Sequence, residues 1–157
     1  MIPTRRAGSR LQNYIEEHPM NRSNVLRQFD TVLALEPDAF FRARLTAIFR
    51  GSRWKLVTVE SLEEARDLLA QNDYIAVIAG LADGADLKAM TGRLGRHTRI
   101  LGVADFAEAL DPGAVPSWVF SLLRRPYAAS EVLQTVNFAW AATRWDNLVL
   151  SSWMFVA

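Results

Sequence analysis

The eight residues Tyr74-Ile-Ala-Val-Ile-Ala-Gly-Leu81 constrain this chain more than any other stretch. None is charged, and polar and apolar residues do not alternate. Alternation would mark a strand with one wet face, whereas a short unbroken apolar run reads as a strand covered on both faces. Such strands lie at the centre of parallel sheets flanked by helices. In a sheet of that kind, binding and chemistry collect just beyond the carboxyl ends of the central strands. Here that end holds Ala79, Gly80 and Leu81, and none of them carries a nucleophile or a metal ligand.

The segments on either side supply the partners such a strand needs. Thr31–Leu35 is a short apolar run stopped by Glu36-Pro37-Asp38. From Ala39 to Arg50, apolar residues recur at Phe41, Leu45, Ile48 and Phe49, the stripe of an amphipathic helix, and Gly51 is placed to end it. Trp54–Val59 is rich in β-branched residues and predicts a second strand. Ser61 followed three residues later by Glu64 is a capping box, opening a helix that turns Leu62, Ala65, Leu68 and Leu69 inward. After the central strand, Ala82-Asp83-Gly84 predicts a turn, and Leu87, Met90 and Leu94 a short helix ending at Gly95. Ile100–Ala104 predicts a fourth strand. Phe106–Leu110 predicts a helical turn stopped by Pro112-Gly113, and Val119–Leu123 a fifth strand. A long helix from Ser130 carries Val132, Leu133, Val136, Ala139 and Trp140 on its apolar side. Five strand–helix alternations specify right-handed βαβ units and a parallel sheet with helices on both faces.

Composition removes several function classes. With 157 residues, 50% of them hydrophobic and 22% charged, the chain is long enough for one well-cored domain. A net charge of +1 gives no global field toward nucleic acid or an anionic membrane, so a nucleic-acid partner is not expected. The absence of cysteine excludes disulfides, thiolate chemistry and cysteine metal sites. His18 and His97 stand in unrelated contexts and suggest no zinc site. Gly80–Gly84 lacks both the Lys-Ser/Thr ending of a P-loop and a dinucleotide fingerprint. The first residues carry arginines without an apolar run behind them, unlike a secretory leader, and no stretch approaches the roughly 18 apolar residues of a membrane span. The expected location is the cytoplasm, and neither a metal nor another cofactor is expected.

From Asp30 to Arg144 the chain resembles the receiver domain of bacterial two-component response regulators. Element order and lengths match. Leu35-Glu36-Pro37-Asp38 stands where receivers place an acidic cluster after the first strand. Gly80 matches the phosphorylated aspartate, and Arg125-Pro126-Tyr127 is similar to the Lys-Pro-aromatic triplet after the fifth strand. The resemblance implies a flavodoxin-like α/β fold, a five-stranded parallel sheet in the order 2-1-3-4-5, with a cis bond before Pro126. It also exposes departures. Gly80 offers no acceptor atom, and Pro37 replaces a metal-binding carboxylate. Ala104 stands for the phosphate-sensing hydroxyl, Leu122 for the switch aromatic and Arg125 for the lysine. Phosphoryl transfer relies on positioning and electrostatics but still requires an acceptor. The expectation is therefore a degenerate, non-enzymatic receiver whose pocket is Glu36, Pro37, Asp38, Gly80, Ala104 and Arg125. Arg124 or Arg125 pairing with Glu36 or Asp38 would stand in for the phosphate network. Signalling would proceed through a protein partner: a regulator, a kinase or an output domain. The alternative is a sensor of small molecules or anions in the vacated pocket.

Two extensions flank this unit. Residues 1–29 are polar, with apolar spacing for one short helix at Leu11, Tyr14 and Ile15 and another at Val25, Leu26 and Phe29. Residues 145–157 are crowded with apolar side chains. Trp140, Trp145, Leu148, Trp153 and Phe155 are the expected interface, used for a homodimer through the last helix and tail, because exposed apolar clusters mark contact sites.

Overall fold

The computed structural model describes residues 30–94, 98–105 and 112–156, with side chains described for 30–90, 98–105 and 113–144. The expected helices within 1–29, the turn at Phe106–Leu110 and both histidines lie outside those residues. The order is β1 (Thr31–Leu35), α1 (Ala39–Arg50), β2 (Lys55–Val59), α2 (Leu62–Gln71), β3 (Ala76–Gly80), α3 (Leu81–Leu94), β4 (Arg99–Asp105), a 3-10 turn at Pro112–Ala114, β5 (Val119–Arg125) and α4 (Ala129–Val156). The five strands form one parallel sheet ordered β2-β1-β3-β4-β5. This is the flavodoxin-like receiver topology.

Burial explains the central position of β3. Every residue from Tyr74 to Ala79 is buried, while the edge strand β2 is covered only at Val59. On one face, Val32, Ala34, Ile78, Leu101, Val103 and Leu123 pack beneath Leu45, Ile48 and Phe49 of α1 and Val132, Val136 and Ala139 of α4. On the other, Leu33, Leu35, Val77 and Ile100 pack beneath Ala65 and Leu69 of α2 and Leu87 of α3. Each fully buried Leu, Ile or Val stabilises the fold by roughly 1.5–3 kcal/mol, so these two layers set the sheet's register against any one-residue slip.

Helix starts follow their caps. Asp38 accepts from the backbone N–H groups of Phe40 and Phe41 at 2.8 and 3.2 Å and opens α1. Ser61 accepts from Glu64 N–H at 3.2 Å and opens α2, while the Glu64 carboxylate reaches back to the N–H of Glu60 at 3.2 Å. One expectation is corrected. Ala82-Asp83-Gly84 is not a turn, because α3 begins at Leu81 directly after β3. The glycine serves packing instead. A Cβ at Gly84 would lie 3.2 Å from the Trp118 ring, so the missing side chain lets that indole press against the helix. Asp83 in the first turn favours the helix by complementing its dipole.

Candidate functional site

The carboxyl ends of β1, β4 and β5 meet around Glu36, which is 2% exposed. It follows β1, and its own N–H is tied to the Val59 carbonyl at 3.0 Å, which fixes the backbone beside the end of β2. A buried carboxylate demands partners, and three are supplied. The Arg125 Nη1 donates to Oε2 at 3.0 Å, the Tyr127 hydroxyl donates to Oε1 at 2.7 Å, and the Asp38 N–H donates to Oε2 at 3.1 Å. Arg125 also places Nε 3.0 Å from Oδ1 of Asp105. That N–H is not aligned on an acceptor, so the second contact is an ion pair by proximity rather than a directed hydrogen bond. One guanidinium thus joins the ends of β1, β4 and β5.

Aromatic packing holds the network rigid. Phe41 meets the Tyr127 ring edge to face at 5.9 Å, and the Arg125 guanidinium lies 5.2 Å from the Phe41 centroid. The cis Arg125–Pro126 bond precedes Tyr127. Burial, then the hydrogen bond to Glu36 and its charge, push the Tyr127 phenol far above its ordinary value, with Arg125 opposing. It is therefore a neutral donor at any physiological pH. Arg42 closes the outer side, donating to the carbonyls of Glu36 and Pro37 at 2.9 and 2.8 Å.

Of the six pocket residues read from the sequence, Glu36 and Arg125 are brought together as an ion pair. Asp38 faces the helix end as a cap, not Arg125, because the first-turn N–H groups of α1 claim its carboxylate. Arg124 likewise turns elsewhere, donating to the Asp105 carbonyl at 3.0 Å. Pro37 is exposed. Gly80 ends β3, and a Cβ there would meet nothing within 4 Å. Ala104 is buried and lies opposite Arg124 in the sheet register. Three participants were not read from the sequence as site residues: Tyr127, Asp105 and Phe41. Tyr127 was visible in the Arg-Pro-Tyr triplet, and Asp105 as an acid one residue past the fourth apolar run.

The receiver resemblance implies Mg²⁺ at this end of the sheet. The donor set does not fit it. Glu36 has its oxygens engaged by Arg125, Tyr127 and the Asp38 N–H, Asp38 is committed to the cap, Asp105 is paired with Arg125, and Pro37 and Gly80 offer no oxygen ligand from a side chain. Mg²⁺ needs near-octahedral oxygen ligation with one or two free carboxylates. Among the described residues, no group of three or more His, Cys, Asp or Glu is arranged to hold a metal.

The expected interface residues divide. Trp140 is half-buried against its own domain, its ring 6.2 Å from that of Trp54. Trp54 in turn donates its indole N–H to Asn137 at 2.9 Å. Trp140 is thus engaged within the fold, because the core-facing side of α4 brings it over the start of β2. Trp145, Leu148, Trp153 and Phe155 fall on α4, which runs without a break past Arg144 to Val156, and their side chains lie outside the described residues. Among the described residues, no helix is long and apolar enough to cross a membrane.

No protein-family model matches the chain, and no curated protein matches it. Solved structures do. NtrX from Brucella abortus in complex with ATP is similar with a TM-score of 0.69 and 10% identity over 78% of this chain, which spans only 29% of NtrX. The signal receiver domain of an HD domain-containing protein from Pseudomonas fluorescens is similar with a TM-score of 0.63 and 17% identity, covering 74% of this chain and 98% of that domain. A CheY-like response regulator receiver domain protein from Methanospirillum hungatei gives a TM-score of 0.60 and 17% identity, covering 73% and 96%. At such identities the likeness speaks for the fold: this chain has the fold of a response regulator receiver domain.

Proposed function

We propose that this chain is a receiver-like signalling module that does not accept phosphate and works by protein–protein contact. The observation that carries the reading is the end of β3. Gly80 ends β3, where the receiver resemblance would put an acceptor, and Arg125 is bound to Glu36 rather than left to neutralise a phosphoryl group. The arrangement supplies no nucleophile, so one conformation is held by a built-in ion pair. A partner or ligand would then act only through its differential affinity for the states available.

The contact surface in this reading is the outer side of α4. Its 28 residues rise about 42 Å, well beyond strands of five to seven residues that reach roughly 16–23 Å. Phe138, Ala141, Trp145, Leu148, Ser152 and Phe155 follow one another at alternating steps of three and four, the spacing of a coiled-coil seam. The described start of that strip is open, with Phe138 58% exposed and Ala141 exposed. Three large aromatics per chain, at about 150–250 Å² each, approach the area a stable homodimer needs.

Incubation with acetyl phosphate and Mg²⁺ followed by intact mass measurement tests the first part. The expected result is an unmodified chain, and a phosphorylated species would overturn it. A second reading, an anion sensor, is favoured only by the open space beside Gly80. Saturable thermal stabilisation by inorganic phosphate would support that reading.

A further inference from the structure

Far from the Glu36 network, at the amino-terminal end of the sheet, two arginines share one tryptophan. The guanidinium carbon of Arg53 lies 4.3 Å from the centroid of Trp54 and 4.6 Å from that of Trp140. The two rings meet at 63°, and Arg53 sits against both. The guanidinium carbon of Arg144 lies 4.9 Å from the Trp140 centroid. Arg53 comes from the turn between α1 and β2, and Arg144 from the middle of α4, so the tertiary fold alone assembles the pair.

Both side chains belong to exposed residues, and among the described residues neither has a carboxylate partner. Exposed Arg50 in the last turn of α1 adds a third cation nearby in the chain. Cation–π attraction holds a guanidinium over a ring yet leaves N–H groups to spare, since five donors surround one planar group. Two cations held on one indole repel each other, and carboxylates reaching both would relieve that repulsion with charge-assisted hydrogen bonds.

We propose that this corner docks an acidic segment of a partner protein, with carboxylates bridging Arg53 and Arg144. The inference rests on the protein-contact reading above but uses Arg53 and Arg144, the latter beside the outer strip of α4 and not on it. Nucleic acid fits less well. Trp54 is 4% exposed and Trp140 carries guanidinium groups, which leaves no open ring for a base to stack on. Three cations on a chain of net charge +1 would neutralise few phosphates.

The test titrates the full chain at low salt against three fluorescein-labelled probes: a short helical peptide with Glu at i and i+4, the same peptide with Gln, and a thymidine oligonucleotide. Anisotropy and tryptophan emission report binding. The Glu peptide is expected to bind at least about tenfold tighter than the Gln peptide and to weaken with salt. Arg53→Gln with Arg144→Gln lowers its affinity about tenfold, while Arg66→Gln, on the exposed side of α2, leaves it unchanged. Arg53→Lys with Arg144→Lys keeps charge and aliphatic contacts, loses the guanidinium donors, and binds between the two; it carries the test should the glutamine pair not fold. Equal binding of the two peptides, or equal binding by the variants, overturns the proposal. Tighter binding of the oligonucleotide overturns it in favour of a nucleic-acid surface. Native mass of the free chain is read separately, so a monomer that binds the Glu peptide breaks the dimer reading and leaves this one standing.

Discussion

Arg125 and Glu36 meet at 3.0 Å across the carboxyl end of the sheet, and the carboxylate is almost wholly shielded from water. The pair ties the chain just after β1 to the end of β5. It also makes Glu36 dependent on its partner. Arg125→Ala leaves a buried carboxylate with one charge partner fewer, and removing one side of a buried pair costs roughly 3–5 kcal/mol. Urea unfolding should show that loss, and a change below about 1 kcal/mol would mean the pair contributes little to holding the strand ends together.

Tyr127 predicts a pH signature. Its phenol is raised above the ordinary value of 10.0, chiefly by burial and by the hydrogen bond to Glu36. The folded state therefore keeps the phenolic proton where the unfolded chain has begun to release it. The unfolded state binds fewer protons in that range, so this contribution to stability is complete below pH 10.0 and falls as pH rises beyond it. The limiting slope is about 1.4 kcal/mol per pH unit. Tyr127→Phe should flatten the alkaline fall relative to the parent chain, at a cost near neutrality of about 1–3 kcal/mol for the acceptor left short on Glu36. Identical alkaline profiles for both would remove Tyr127 from this role.

Gly80→Asp tests whether the acceptor alone is missing. A Cβ at Gly80 meets nothing within 4 Å, so the variant should fold with a stability change within about 1 kcal/mol. Phosphorylation is still not expected, because Arg125 stays on Glu36 and Pro37 supplies no metal ligand. Uptake of phosphate from acetyl phosphate by this single variant would show that the ion pair yields readily and that the rest of the machinery is intact.

Ending the chain at Arg144 tests the outer strip of α4. The full chain should have the native mass of a dimer, and the shortened one that of a monomer with unchanged far-UV signal per residue over the core elements. Two monomers would remove the seam, and two dimers would move the interface to the described part of the domain, with Phe40, 72% exposed beside the Glu36 network, as the first residue to change.

Much of this architecture is legible in the primary structure for a simple reason. Burial on both faces forces β3 into an unbroken apolar run, and helix caps such as Asp38 and Ser61 act over two or three residues, so local patterns carry them. The mistaken turn at Ala82–Gly84 shows where local reading ends. A glycine there signals a turn by backbone freedom, yet it is present because the ring of Trp118, distant in the chain, needs the room. The same holds for chemistry. Sequence alone determined that β3 ends without a side-chain nucleophile at Gly80, since no fold can add an atom to a glycine. Only the tertiary structure decided that Arg125 and Tyr127 share Glu36, that Asp38 is withdrawn into a helix cap, and that Arg53 and Arg144 meet on Trp140. Those relations depend on distances between residues far apart in the chain, and such distances are set by packing, not by composition or spacing.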